Sequence, residues 1–259
     1  MNFSFLAGVT ILGIVLGTLC MLELGRRIGL RRLARDPEAA KASTGAIDGA
    51  VFGLLGLVIA FTFSGATSRF EARCLLMDKE ANAISTAWLR LNLLPESAQA
   101  PLRDKLRQYL DARLDAFHKV PDMTAVRAEL ARAAALQNDI WTQSVAACNN
   151  SSSPSATVLL IPALNEMFDI ASSRTALALR HPPLMTYEMM FILLLAGSAL
   201  AGYALGLGKV RDWFHGLAFV LAMTLTVYVI VDFEYPRVGI IRIDRFEQPL
   251  LDLRQSLNP

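Results

Sequence analysis

The chain has 259 residues, 54% of them hydrophobic, with a mean hydropathy of +0.40 and a formal net charge of only +2 at pH 7. That balance points to a membrane protein and argues against a nucleic-acid partner, which would want a concentrated basic surface. Three cysteines cannot all pair within one chain: Cys20 and Cys74 read as small apolar fillers, and a Cys74–Cys148 disulfide would require an oxidising compartment.

Phe3 to Leu22 is a long apolar run with no Lys or Arg before it and a basic stretch after it. A secretory signal has the opposite charge order, so this run is expected to be a retained transmembrane helix. The link to the next span carries Arg26, Arg27, Arg31, Arg32, Arg35 and Lys41 against Glu23, Asp36 and Glu38, and it is expected to be a cytoplasmic loop. The Arg spacing would also suit anionic lipid.

The second span opens a helix predicted over Ala46 to Leu94. Steps of three and four residues place Ala46, Gly49, Gly53, Gly56, Ala60, Phe63, Thr67, Phe70, Cys74, Met77, Ala81, Ile84, Trp88 and Leu91 on one seam. In lipid, small residues allow close backbone approach; in water, large apolar side chains supply the burial. The seam is small first and large later, as if one helix left the bilayer and entered an aqueous bundle.

Leu93-Leu94-Pro95 ends that helix. Amphipathic helices are predicted from about Ala98 to His118, from Met123 to about Ala147 and from about Thr157 to Arg180, separated by Val120-Pro121-Asp122 and the polar run Asn149 to Ser155. Leu184 to about Leu207 is the third span, with Ser198, Gly202 and Gly206 on a small-residue face, and Trp213 to about Val231 is the fourth. In the tail, Val238 to Ile243 suits a short strand or extended cover, and Pro249 to Leu257 a final helical turn or two.

The fold expected is therefore an all-α membrane protein with four transmembrane helices and a juxtamembrane helical bundle between spans two and three. Its segments are 1–68 for the first two spans, 69–183 for the bundle, 184–233 for spans three and four, and 234–259 for the tail. Positive-inside counting puts the bundle outside the cytoplasm, with the spans in an inner membrane.

No residue pattern supports catalysis or a metal or cofactor site: His118, His181 and His215 lie in separate segments, and no phosphate-binding or nucleophile motif is present. The stripe Gly49, Gly53, Gly56, Ala60 and Phe63 can either line a pore, with Phe63 as an apolar constriction, or pack helices together. Asp48, Glu188, Asp232 and Glu234, at the span edges, either attract ions or sit in the headgroup region. Arg69, Arg73, Glu80, Asn82 and Arg90 form a candidate polar face of the bundle, able to pair with the tail or another helix; such a face would orient the bundle on the bilayer or, alternatively, form an ion vestibule.

The segments GAVFGLLGLVIAFTFSGATSRFEAR, EANAISTAWLRLNLLP and PRVGIIRIDRFEQPLLDLR resemble the bestrophin-like domain family of bacterial membrane proteins. The family takes its name from a distant likeness to bestrophin anion channels, which are pentamers of four-span subunits with a pore lined by one span. The resemblance implies a homo-oligomer in the lipid bilayer, conducting ions along the second span. The acidic calcium clasp and aromatic neck of animal bestrophins have no counterpart in this sequence. Bestrophins also keep their helical domain in the cytoplasm, opposite to the orientation that charge counting favours. The competing expectation is a non-conducting scaffold or sensor whose bundle binds a partner protein.

Overall fold

A computed structural model describes residues 3–38, 45–150, 154–208, 213–237, 239–241 and 243–257 of the chain. Among these residues the regular structure is helical and no strand occurs: α1 (Phe3–Arg35), α2 (Gly45–Arg90), α3 (Glu96–His118), α4 (Met123–Asn149), α5 (Pro154–Leu179), α6 (Leu184–Leu207), α7 (Trp213–Glu234) and α8 (Gln248–Ser256). The stretches Gly45–Leu93, Pro154–Leu207 and Trp213–Glu234 are long and apolar enough to cross a membrane. The apolar run from Phe3 to Leu22 opens α1 and is not among these three. The chain divides into two compact units, Met1–Ser68 with His181–Ile240 and Arg69–Arg180 with Ile241–Pro259.

The first unit is built around the pairing of α1 with α6. The basic link read as a loop is helical as far as Arg35, which corrects that expectation; residues 39–44 lie outside the described residues. Glycine explains why the helix continues there. A Cβ on Gly25 would stand 1.9 Å from the Ala199 carbonyl oxygen, and one on Gly29 2.4 Å from that of Tyr203. From the other side, Cβ atoms on Gly202 and Gly206 would meet the carbonyl oxygens of Leu22 and Arg26 at 1.9 and 2.3 Å. Four glycines thus let two backbones touch, and α6 supports α1 past the end of its apolar run.

Ile14, Leu55, Val58, Ala66, Met190, Leu194, Val227 and Ile230 form the core of this unit, drawn from α1, α2, α6 and α7. Its buried hydroxyls on Thr18, Thr62 and Ser198 donate to carbonyls one turn back, at 2.8, 2.7 and 2.7 Å. That local bond satisfies them without any partner helix.

The second unit packs the last part of α2 with α3, α4, α5 and α8 around Ile84, Leu91, Leu102, Leu106, Tyr109, Leu110, Ile140, Leu160, Leu164 and Met167, each fully buried. The helix α2 ends in a 3-10 turn, Leu91–Leu93, and Leu94 is extended, as the following Pro95 requires. At the start of α4 the Asp122 carboxylate accepts from the backbone N–H groups of Thr124 and Ala125 at 3.0 and 3.1 Å, occupying two donors the helix leaves open. After the 3-10 turn Ile243–Glu247, α8 lies on α3: Leu250 and Leu257 are buried, Arg254 Nε donates to Asp111 at 2.5 Å and Arg107 Nε to the Leu257 carbonyl at 2.6 Å. Within the Val238 to Ile243 stretch, Gly239, Ile240 and Ile241 form bends rather than a strand, while Val238 and Arg242 lie outside the described residues. All three cysteines are free thiols, with Cys148 inside the core. Burial, with Asp78 adding to it, pushes the Cys74 thiol up to about 11, so it stays protonated at neutral pH.

Candidate functional site

Along the apolar half of α2, two faces have opposite fates. Leu55, Val58, Thr62 and Ala66 are buried in the first unit, and Leu55 and Phe52 close on Gly197 of α6. Gly49, Gly53, Gly56 and Ala60 are exposed, and a Cβ on any of the three glycines meets nothing within 4 Å. Phe63 is 41% exposed and sets its ring edge-on to Phe233, 5.9 Å away. Leu54, Leu57 and Phe61 beside the stripe are exposed as well. The small-residue seam is therefore unused within one chain, whereas its continuation through Phe70, Met77, Ala81, Ile84 and Leu91 is buried.

Asp48 is half-buried in the first turn of α2, and Glu188 is exposed near the start of α6. Asp232 and Glu234 are held by contacts within the first unit. Asp232 is buried and accepts from the Ile240 N–H at 2.9 Å and the Tyr228 hydroxyl at 3.4 Å. A Cβ on Gly239 would overlap Asp232 Oδ1, so any other residue here would have to displace this carboxylate. Glu234 is fully buried, 3.1 Å from His181 Nδ1, and the His181 ring stacks on Tyr235 with centroids 4.7 Å apart. These contacts tie the end of α7 to the segment that enters α6.

In the second unit the charges assemble a deeper cluster. Glu80 has no exposed surface and bridges two arginines, with Arg113 Nε at 2.6 Å and Arg174 Nη1 at 2.5 Å on its two oxygens. Arg113 also donates to Thr175 Oγ1 at 3.0 Å and the Ala171 carbonyl at 3.2 Å. Both guanidiniums lie over the buried Phe117 ring, at 5.4 Å for Arg113 and 4.1 Å for Arg174. Glu247, from the tail, stands 3.7 Å from Arg174 and 2.9 Å from His118 Nε2. Burial alone would raise the Glu80 carboxyl, but the two arginine charges and their hydrogen bonds outweigh it and hold the group below the usual carboxylate range.

Of the other bundle residues singled out, Arg73 is buried and donates to the Arg180 carbonyl at 3.2 Å, and Arg90 reaches the Leu159 carbonyl at 2.7 Å. Arg69 is half-buried and Asn82 exposed. Arg113, Arg174 and Glu247 were not among the residues expected to matter. Their signal was nonetheless present: Arg113 continues the buried row Leu106, Tyr109, Leu110, and Arg174 the row Leu160, Leu164, Met167, Ala171. A charge in an apolar helical row needs a partner inside. No group of three or more His, Cys, Asp or Glu side chains able to hold a metal occurs among the described residues.

A family model described as Bestrophin-like domain matches residues 9–246. No curated protein matches the chain. Among solved structures, a single-substitution variant of a bacterial bestrophin homolog from Klebsiella pneumoniae has a TM-score of 0.71 at 16% identity, covering 95% of this chain and 98% of that one. Another crystal structure of a bacterial bestrophin homolog from that organism, phased on zinc, gives 0.64 at 16% identity, with 95% and 100% covered. At such identity the likeness is one of fold.

Proposed function

The chain belongs to the bestrophin-like domain family, and from that premise we propose that it is a four-span, homo-oligomeric ion channel of the inner membrane whose second span stands next to the pore axis. The first span is the apolar run at the start of α1; α2, α6 and α7 supply the others. The observation that supports a pore along α2 is the split between its faces. Leu55, Val58 and Ala66 are consumed by packing in the chain, while Gly49, Gly53, Gly56 and Ala60 stand open with an apolar surround. An exposed small-residue face is a poor end state in lipid, where close contact over such residues is what holds helices together. Copies of the chain arranged around an axis would cover it and leave a narrow path past Gly53, Gly56 and Phe63, with Asp48 at one mouth.

Ion flux from liposomes carrying the purified protein tests this reading, with cations and anions assayed separately and a Gly56→Leu variant alongside. A Cβ at this position meets no atom of its own chain within 4 Å, so the variant should fold and remain in the membrane. Flux in the parent and its loss in the variant is the expected result. No flux from a well-folded oligomer at any tested potential or pH would instead make the protein a scaffold or sensor.

For orientation, the arginines at the end of α1 favour a cytoplasmic position for that end, and hence an extracytoplasmic bundle. Thr142, exposed on α4, is a suitable reporter position. With the native cysteines replaced, a Thr142→Cys variant should react with a membrane-impermeant thiol reagent in intact spheroplasts. Reaction only after lysis would put the bundle in the cytoplasm.

A further inference from the structure

We infer that the exposed basic face at the C-terminal end of α1 is a docking surface for the phosphate groups of anionic phospholipids. The inference rests on the reading of α1 as a span. The structure adds what a loop could not provide, a rigid helix with a defined face. Gly25 and Gly29 are buried against α6, which fixes the rotation of the helix. Arg27, Arg31 and Arg35, spaced one turn apart, then fall together on the exposed side, with exposed Leu24 and Ile28 beside them.

The depth of this face also matches a headgroup layer. Gly29 lies against Tyr203 and Gly206, in the last turns of α6, and α6 ends at Leu207. The arginines from Arg27 onward thus stand level with the end of an apolar helix and just past it. Glu23 is already engaged by Arg26 at 2.8 Å and by Arg27 at 2.9 Å. Among the described residues no carboxylate is paired with Arg31, Arg32 or Arg35. A guanidinium row flanked by apolar side chains complements a lipid that offers phosphate above and acyl chain below. A free phosphate would satisfy only the charges.

Native mass spectrometry of the detergent-purified full chain, given phosphatidylglycerol, phosphatidylcholine or inorganic phosphate, tests the inference. Phosphatidylglycerol should be retained preferentially, and a double Arg31→Gln, Arg35→Gln variant should retain it roughly twentyfold less well. A double Lys79→Gln, Arg127→Gln variant removes equal charge from exposed positions on α2 and α4 and should leave retention unchanged. Equal retention of phosphatidylcholine, an equal loss in the control variant, or binding of inorganic phosphate alone would each overturn the inference. Carbonate extraction of membranes tests the underlying reading separately: release of the protein would refute the spans, whereas retention without lipid preference would refute only the lipid surface.

Discussion

Replacing Glu80 by alanine is expected to destabilise the helical bundle severely. The substitution removes the one carboxylate that bridges Arg113 and Arg174, whose side chains are each only 4% exposed. Two positive charges would then face each other in a low-dielectric interior, a situation that costs roughly 3 to 5 kcal/mol. That is a large part of the stability of an ordinary domain, about 5 to 15 kcal/mol. Urea denaturation in detergent, followed through the tryptophans Trp88 and Trp141, would measure it. An unchanged midpoint would mean that water reaches the arginines. Replacing Glu80, Arg113, Arg174 and Glu247 together by apolar residues of similar volume should largely restore stability, because the cost lies in breaking the set rather than in lacking it.

The same cluster sets a pH dependence. The folded carboxyl of Glu80 is held below its unfolded value, near 4.3. Its contribution is therefore fully present above the ordinary glutamate range and is lost only as the pH falls through the lowered folded value. The bundle should keep its denaturation midpoint through about pH 5, and the Glu80-dependent part should vanish at more acidic pH. In a Glu80→Gln variant that part of the acid sensitivity should be absent.

The second large effect is expected at Gly202. A leucine there would drive its Cβ to within 1.9 Å of the Leu22 carbonyl oxygen, and the obstacle is backbone, which cannot rotate away. Separating α1 from α6 would cost more than the roughly 1 to 3 kcal/mol usual for overpacking, so the variant should be recovered in low yield and be cut readily by protease. The contrast with Gly56 makes the test specific. Both are glycines in apolar helices, yet a Cβ on Gly56 meets no atom of its own chain within 4 Å, and Gly56→Leu should affect assembly or flux alone. If the two variants behaved alike, the assignment of one glycine set to packing within the chain and the other to contacts between chains would fail.

Much of this division could be read from spacing. The long α2, from Gly45 to Arg90, follows from an unbroken three-four repeat with no Pro or Gly between Ala66 and Leu94. Ser198, Gly202 and Gly206 stood out as a small-residue face, but their partners Gly25 and Gly29 were hidden inside a basic segment that reads as a loop. Arginines at a membrane edge speak of topology, and nothing local in them declares a helix. The bundle's polar residues were legible only in part. Glu80 stood out only as one member of a polar face suited to pairing, whereas the row buried on α2 is Arg73, Met77, Glu80, Ile84, Ala87 and Leu91, charges included.

What the sequence alone determined was the helical class, the positions of the apolar helices and the change of α2 from small to large residues. These follow from hydropathy and period, which are local properties of consecutive residues. Only the tertiary structure decided which glycines are spent inside the chain and which remain open, and which charges meet. Arg113 and Arg174 lie 33 and 94 positions from Glu80. A buried ion pair is specified by distance and desolvation between remote segments, and neither quantity exists until the helices have packed.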